Sequence, residues 1–475
     1  GLEGKLIEVE ISLSFGLRSL NIVGLPDKTI EESKERVISA LKNSGFSPPL
    51  KKPERIIVNL APADFKKEGS LYDLPIAISY LLISNQTNFN PEGKAFLGEL
   101  SLKGEIRAHK GILPLVMTAK EKGIKEVILP RENEREAKII KDIKIIGVKD
   151  LKETIDYLEG RKKIFSQINI SQLFKRNEIL IDLSHIKGQE SAKRALEIVA
   201  AGGHHILLFG PPGAGKSLLA KALPSILPDL SFEEALEVTK IYSVSGLLNK
   251  ERPFLIERPF RSPHHTCSET ALIGGGNPPR PGEITLSHKG VLFLDEFPEF
   301  HRDVLESLRQ PLEEGKITIS RSRYSLTFPA KFILVAAANP CPCGNYGNPL
   351  LECKCTPSQI AKYKRKLSGP LMDRIDLFVE VPPLKYEKLV EKEDVSYVEK
   401  IKEFNSKNKI VAAICFSPVI LAKAGNLKGK RATVFPNQDL INKLKEAGAI
   451  YTAEKVTKDD NIITGNGPDA ATEFG

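Results

Sequence analysis

An α/β fold is predicted for this chain by three observations. Between about residues 180 and 385 the pattern strand, glycine-rich turn, helix recurs, which implies a parallel sheet covered by helices. Residues 1 to about 158 also alternate apolar strands with helical patterns. The tail from residue 409 turns to an apolar strand again and then to turn signals. A length of 475 residues exceeds one core and implies roughly three domains.

The elements support this division in order. In residues 1–158 the strands are Ile56–Leu60, Glu126–Pro130 and Ile143–Val148, with a helix over Ile30–Asn43. The basic, apolar-poor stretch Gly160-Arg161-Lys162-Lys163 opens a linker over 159–180. Residues 181–385 form the parallel-sheet domain. Residues 386–408, dense in Lys and Glu, read as an exposed helix or a second linker. Residues 409–475 form a last, truncated α/β piece.

Composition narrows the class. Hydrophobic residues make up 41% and charged residues 27%, as in ordinary globular protein. No apolar run approaches the ~20 residues that span a bilayer, and no secretory segment opens the chain, so a cytoplasmic location is expected. The first residue is Gly1, not Met, and a strand pattern follows at once, so a fragment missing its first strand is expected. The net charge of +9 permits nucleic-acid binding without requiring it.

One stretch carries chemistry. Gly210-Pro211-Pro212-Gly213-Ala214-Gly215-Lys216-Ser217 follows the strand His205–Phe209 and opens a helix at Leu218. In this setting the glycines let backbone N–H groups wrap phosphates, and the helix N-terminus adds a favourable dipole. Lys216 would reach the β- and γ-phosphates of ATP, and Ser217 would hold Mg²⁺. The apolar strand Gly290–Leu294 then delivers Asp295 for Mg²⁺ and Glu296 as general base for the attacking water. A third strand, Phe332–Ala338, ends at Asn339, placed to help position that water.

The order Lys, Asp-Glu, Asn resembles AAA+ ATPases. That resemblance makes Arg374 the arginine finger, serving a neighbouring subunit's γ-phosphate, and implies a ring, usually a hexamer. The alternative for Arg374 is a salt bridge to Asp373 or Asp376. Arg258-Pro259-Phe260-Arg261-Ser262-Pro263-His264-His265-Thr266, Gly274-Gly275-Gly276, Pro281-Gly282-Glu283-Ile284 and Glu314–Arg321 resemble the magnesium-chelatase-like branch, which carries two inserted hairpins. Ile22–Asp27, Glu32–Val37, Asn59–Asp64 and Lys67–Pro75 are similar to the ComM/YifB proteins of that branch. The resemblance implies a DNA helicase that drives branch migration of recombination intermediates during natural transformation. Its DNA-facing residues would be Lys316, Arg321 and Arg323, although exposed basic turns are often only solvated.

Two other activities are weighed. Leu97–Gly104 and Gly123–Pro130 are similar to the proteolytic domain of Lon, which needs a Ser nucleophile and a Lys. The matching positions fall near Leu71 and Leu113, and the adjacent Ser70 would point to the other face, so no protease is expected. A chelatase-like remodeller of a protein or metal-insertion partner is the alternative to the DNA motor. A nucleotide-binding switch without motor activity is third.

The cysteines form the last signal. Cys341-Pro342-Cys343 and Cys353-Lys354-Cys355 flank a nine-residue loop, and four thiolates from two close pairs suit a tetrahedral structural zinc site. Their C-x-C spacing is tighter than the usual C-x₂-C, and four free thiols are the alternative. The AAA+ resemblance stops near Pro383, before the helical lid that such a module needs, so full ATPase cycling is in question. Val411–Cys415, Pro418–Ala422 and Thr464–Pro468 instead resemble the second half of a PfpI-type domain. Cys415 would occupy that family's strand-to-helix elbow, but no His follows His301 and Phe416 stands where many members carry His. Cys415 is therefore expected to be catalytically idle, and a fused or misassembled gene end is expected.

Overall fold

A computed structural model describes residues 2–165, 181–249, 251, 253–276, 279–321, 324–347, 351–366, 369, 371–383, 395–467 and 470–474. Most of the 159–180 linker, the start of the second linker and Arg323 lie outside them. The chain divides into two compact units, Gly1–His185 with Glu190–Val381, and Ile186–Gln189 with Pro382–Gly475.

The first unit begins with β1 (Glu8–Phe15), β2 (Ser19–Val23) and β3 (Glu54–Ala61), in the order β1-β3-β2. Alternate residues Ile56, Val58 and Leu60 of β3 are fully buried, the period-two signature of a sheet packed on one face. The predicted helix over 30–43 is two helices, Lys28–Glu31 and Ser33–Asn43. It starts earlier because Asp27 accepts a hydrogen bond from the Ile30 N–H at 2.8 Å and so caps the first turn. Arg36 of the second helix grips the buried Asp73 through two N–H donors, at 2.6 and 3.0 Å, tying that helix to Asp73–Ile83.

After the helix Asp73–Ile83 come β4 (Lys94–Phe96), the hairpin β5 (Glu99–Leu100) and β6 (Ile106–Arg107), β7 (Glu126–Pro130) and β8 (Lys144–Val148). β4, β7 and β8 form a parallel sheet. All five residues of β7 are buried, as expected of a parallel strand covered on both faces. Leu113 is fully buried, and Leu71 packs against the same apolar cluster. The Ser70 hydroxyl donates to Glu99.

The remainder of this unit contains β9 (Ile206–Phe209), β10 (Phe260–Arg261), the hairpin β11 (Gly274–Gly275) and β12 (Arg280–Pro281), and β13 (Val291–Leu294). The hairpin β14 (Lys316–Arg321) and β15 (Tyr324–Pro329), β16 (Ile333–Ala338) and β17 (Leu377–Glu380) complete it. Five of these strands make one sheet of order β10-β13-β16-β9-β17, and every neighbouring pair is parallel. Apolar runs without alternation, such as Val291–Leu294, are buried throughout, which suits a sheet with helices on both faces. Chain segments leaving β9, β13 and β16 emerge at one edge, where ligands of open parallel sheets bind.

The helix Phe232–Ser245 bears on the amino-terminal half through Ser243. The Gly111 N–H donates to the Ser243 carbonyl at 2.9 Å, and the Ser243 hydroxyl donates to the buried Glu136. Glu136 also accepts from the Leu113 N–H at 3.0 Å and the Asn133 side chain at 3.1 Å.

The second unit includes the helix Val395–Ser406, β18 (Val411–Ile414), β19 (Arg431–Ala432), β20 (Ile450–Tyr451), β21 (Val456–Asp459) and β22 (Ile462–Gly465). β18 runs parallel and β21 antiparallel to β22, and β19 pairs in parallel with β20. A small core of Val419, Leu427, Val434, Leu440 and Leu444 holds it together. Charge density alone left 386–408 open between linker and helix, and its described part is helical to Ser406.

Candidate nucleotide site

Gly210 follows β9, and the turn from there to Gly215 leads into the helix Lys216–Ala222. Gly215 has φ of 92°, a left-handed conformation that side chains resist, and it turns the chain so that the helix N-terminus faces the loop. Lys216 is buried, and burial pushes its ammonium pKa down. Its Nζ donates to the carbonyls of Gly210 at 2.7 Å and Pro211 at 2.9 Å, and to Asn339 Oδ1 at 3.0 Å. Lys216 and Asn339 thus meet across 123 residues because β9 and β16 are neighbours in the sheet.

The second convergence lies beside the first. Ser217 Oγ donates to Asp295 Oδ2 at 2.6 Å, joining the helix start to the end of β13. A hydroxyl and a carboxylate side by side form the hard-oxygen donor set that suits Mg²⁺. Glu296 follows with φ of 51°, so the chain kinks directly after Asp295. Its carboxylate lies 3.1 Å from the His265 ring. Lys216, Ser217, Asp295 and Asn339 are therefore brought together, with Glu296 immediately after Asp295.

Arg374 belongs to neither group. It pairs with Glu313 of the helix Arg309–Glu314. Asp376 accepts from the His205 N–H at 2.7 Å. Lys316 and Arg321 stand at opposite ends of β14: Lys316 pairs in register with Pro329 and Arg321 with Tyr324. A six-residue strand puts about 17 Å between them. Buried Ile317 and Ile319 alternate with Thr318 and Ser320, whose hydroxyls face those of Thr327 and Ser325 at 3.1 and 3.2 Å.

Several residues of the Arg258–Thr266 string have work that sequence reasoning did not assign. Arg258 donates to the carbonyls of Pro228 and Lys289, at 2.6 and 2.7 Å. Arg261 makes a two-pronged pair with Glu283 at 2.6 and 2.7 Å. His265 was missed altogether; the signal was two consecutive histidines just beyond a strand that neighbours β13.

Comparison with known proteins then decides the family. Residues 182–389 match the family described as magnesium chelatase, subunit ChlI, and residues 9–133 match that described as subunit ChlI of Mg-chelatase. YifB of Escherichia coli is 45% identical over 384 residues, covering 80% of this chain and 74% of YifB. The competence protein ComM of Haemophilus influenzae is 44% identical over 390 residues, covering 81% of this chain and 75% of ComM. This chain belongs to the ComM/YifB family. The magnesium-chelatase 38 kDa subunit of Cereibacter sphaeroides is more distant, 29% identical over 173 residues, or 33% of this chain and 52% of that subunit. The ComM/YifB part is accordingly an α/β, magnesium-chelatase-like AAA+ protein.

The rest has another affinity. Residues 385–475 match the DJ-1/PfpI family. Cys415 sits between β18 and the helix Pro418–Lys423 with φ of 63°, a strand-to-helix turn in the left-handed region. Burial pushes its thiol pKa up, away from the reactive thiolate. Among the described residues, no helix is long and apolar enough to cross a membrane.

Within the ComM/YifB part, the four clustered cysteines converge. The Sγ atoms of Cys341, Cys343, Cys353 and Cys355 all lie within 4.8 Å of one another. Cys341 and Cys343 are 3.4 Å apart, and Cys353 is 3.7 and 3.6 Å from them.

Proposed function

We propose that this chain is an ATP-hydrolysing motor that works on DNA, acting as a ring to migrate branches in recombination intermediates. The observation that carries the nucleotide part is the meeting of Lys216, Ser217, Asp295 and Asn339 at one sheet edge. In this reading the loop 210–215 and Lys216 bind the phosphates. Ser217 and Asp295 hold Mg²⁺, which would neutralise charge on the phosphate oxygens. Glu296 takes a proton from the attacking water as the water oxygen bonds to the γ-phosphorus and the bond to the β-phosphate oxygen breaks. Arg374 would serve a neighbouring subunit's nucleotide, leaving Glu313 on assembly.

The DNA part is supported by 44% identity to a relative named for competence. The β14–β15 hairpin, with Lys316, Arg321 and Arg323, would grip the backbone. The test is ATP turnover with and without forked or four-way DNA. Stimulation by branched DNA is expected, and a turnover indifferent to any DNA would overturn the DNA part. The match of residues 182–389 to a magnesium-chelatase subunit supports a second reading, remodelling of a protein or metal-insertion partner. Turnover stimulated by such a partner and not by DNA would favour it.

A further inference from the structure

The cysteine cluster does more than stiffen a loop, because its contacts return to the phosphate loop from both sides. Zinc bound to four thiolates at about 2.3 Å has tetrahedral edges of about 3.8 Å. The sulfur separations among Cys341, Cys343 and Cys353, 3.4 to 3.7 Å, are close to that edge and far from a disulfide bond. Two backbone donors are already aimed at sulfur: the Tyr346 N–H reaches Cys341 Sγ at 3.3 Å, and the Cys343 N–H reaches Cys355 Sγ at 3.4 Å. Such donors orient ligand thiolates and spread their charge.

From this cluster one contact path runs to the phosphate loop through Gly344. Its N–H donates to the Cys341 carbonyl at 2.9 Å, closing a tight turn around the first cysteine pair. A Cβ added at Gly344, where φ is 80°, would stand 2.5 Å from Cγ and Cδ of Pro212. The turn therefore lies flat against the phosphate loop. A second path runs through Asn339, two residues before Cys341, whose Oδ1 accepts from Lys216 Nζ at 3.0 Å. Lys216 also donates to the carbonyl of Pro211, next to Pro212, at 2.9 Å, so the two paths form a closed circuit.

We propose that Cys341, Cys343, Cys353 and Cys355 bind one zinc ion, and that this ion holds the phosphate loop and Asn339 in their nucleotide-binding arrangement. Nucleotide affinity then depends on the ion. The proposal rests on the nucleotide reading of Lys216 and its loop. Without the ion no bond ties Cys341 and Cys343 to Cys353 and Cys355, so loss of zinc opens the turn at Gly344. Pro212 then loses the surface on which it rests.

The experiment uses the full chain purified without chelator, with metal content measured by mass spectrometry and affinity measured with a fluorescent ADP analogue. About one zinc per chain is expected. Stripping zinc should weaken the analogue about tenfold or more, and added Zn²⁺, but not Mg²⁺, should restore it. Cys355→Ser should lose both zinc and affinity. Gly344→Ala separates coupling from loss of the metal: strained at φ of 80° and pressed on Pro212, it should lower the thermal transition only slightly and keep zinc, yet bind the analogue about tenfold more weakly. Preparations free of zinc that bind normally would overturn the metal site. A stripped chain, or zinc-loaded Gly344→Ala, with unchanged affinity would overturn the coupling. Zinc-loaded wild type that binds no nucleotide would defeat the nucleotide reading itself, and the coupling with it.

Discussion

His265 Nδ1 lies 3.1 Å from Glu296 Oε2, linking the segment after β10 to the carboxylate that follows β13. β10 and β13 are parallel neighbours, so the contact joins two adjacent strand ends at the nucleotide edge of the sheet. A general base works best when a third group orients it. Replacing His265 with Ala should therefore lower kcat for ATP about 5- to 30-fold, the equivalent of about 1–2 kcal/mol, with KM for ATP unchanged. His265→Gln, which keeps a donor, should recover part of the loss. A wild-type kcat in His265→Ala would remove His265 from this role, and a raised KM would place it in binding.

The division of labour between Lys216 and Glu296 gives a sharper pair. Lys216→Ala removes an ammonium in contact with the loop carbonyls and Asn339, and nucleotide binding should be lost. Glu296→Gln leaves these contacts intact, so nucleotide should bind with near-wild-type affinity while turnover stalls. Both are read by the binding of a fluorescent nucleotide set against phosphate release. Equal turnover by wild type and Glu296→Gln would exclude Glu296 as the base.

How much of this was legible in the sequence follows from how local each signal is. The loop 210–217 and the strand ending at Asp295 are continuous strings, so their strand-turn-helix and apolar-strand settings could be read directly. The meeting of Lys216 with Asn339 was legible only through strand order, because 123 residues separate them. The paired histidines beyond β10 were a signal for His265, but nothing local in Arg258–Thr266 names Glu296 as its partner. Arg374 illustrates the same limit, since nothing beside it in the sequence names Glu313 as a partner. The early helix start after Asp27 was written in the sequence as a capping residue, but the apolar period beginning at Ile30 masked it.

The joint between Glu136 and Ser243 should be visible as stability. Glu136 is buried and accepts from Ser243, Leu113 and Asn133, so Glu136→Ala strands three donors at once. A cost of about 1–3 kcal/mol for each donor left without a partner is the usual scale. The first thermal unfolding transition of Glu136→Ala should fall by several degrees, and that of Ser243→Ala by less. Equal midpoints for wild type and Glu136→Ala would mean that water replaces the carboxylate without loss.

If the chain acts on DNA as proposed, the β14–β15 hairpin should carry the contacts. β14 and β15 pair as a two-stranded hairpin with Lys316 at the start of β14 and Arg321 at its end. The exposed face between them carries paired hydroxyls of Thr318, Thr327, Ser320 and Ser325, which can donate to phosphates without reading bases. A motor must hold the backbone whatever the sequence, so contacts of this kind are expected. Each phosphate neutralised releases counterions, and log affinity falls against log salt with a slope of about −0.7 to −0.9 per contact. Arg321→Ala should weaken binding to all sequences alike and reduce that slope by about one unit. Lys316→Ala should reduce the slope as well, as a second contact about 17 Å away along the strand, and an unchanged slope would confine the contacts to the tip. The measurement is a salt titration of DNA binding with a non-hydrolysable ATP analogue present. No DNA affinity at low salt in the wild type would send the motor to another substrate. A slope lowered by Lys316→Ala and not by Arg321→Ala would move the contact surface from the tip to the base of the hairpin.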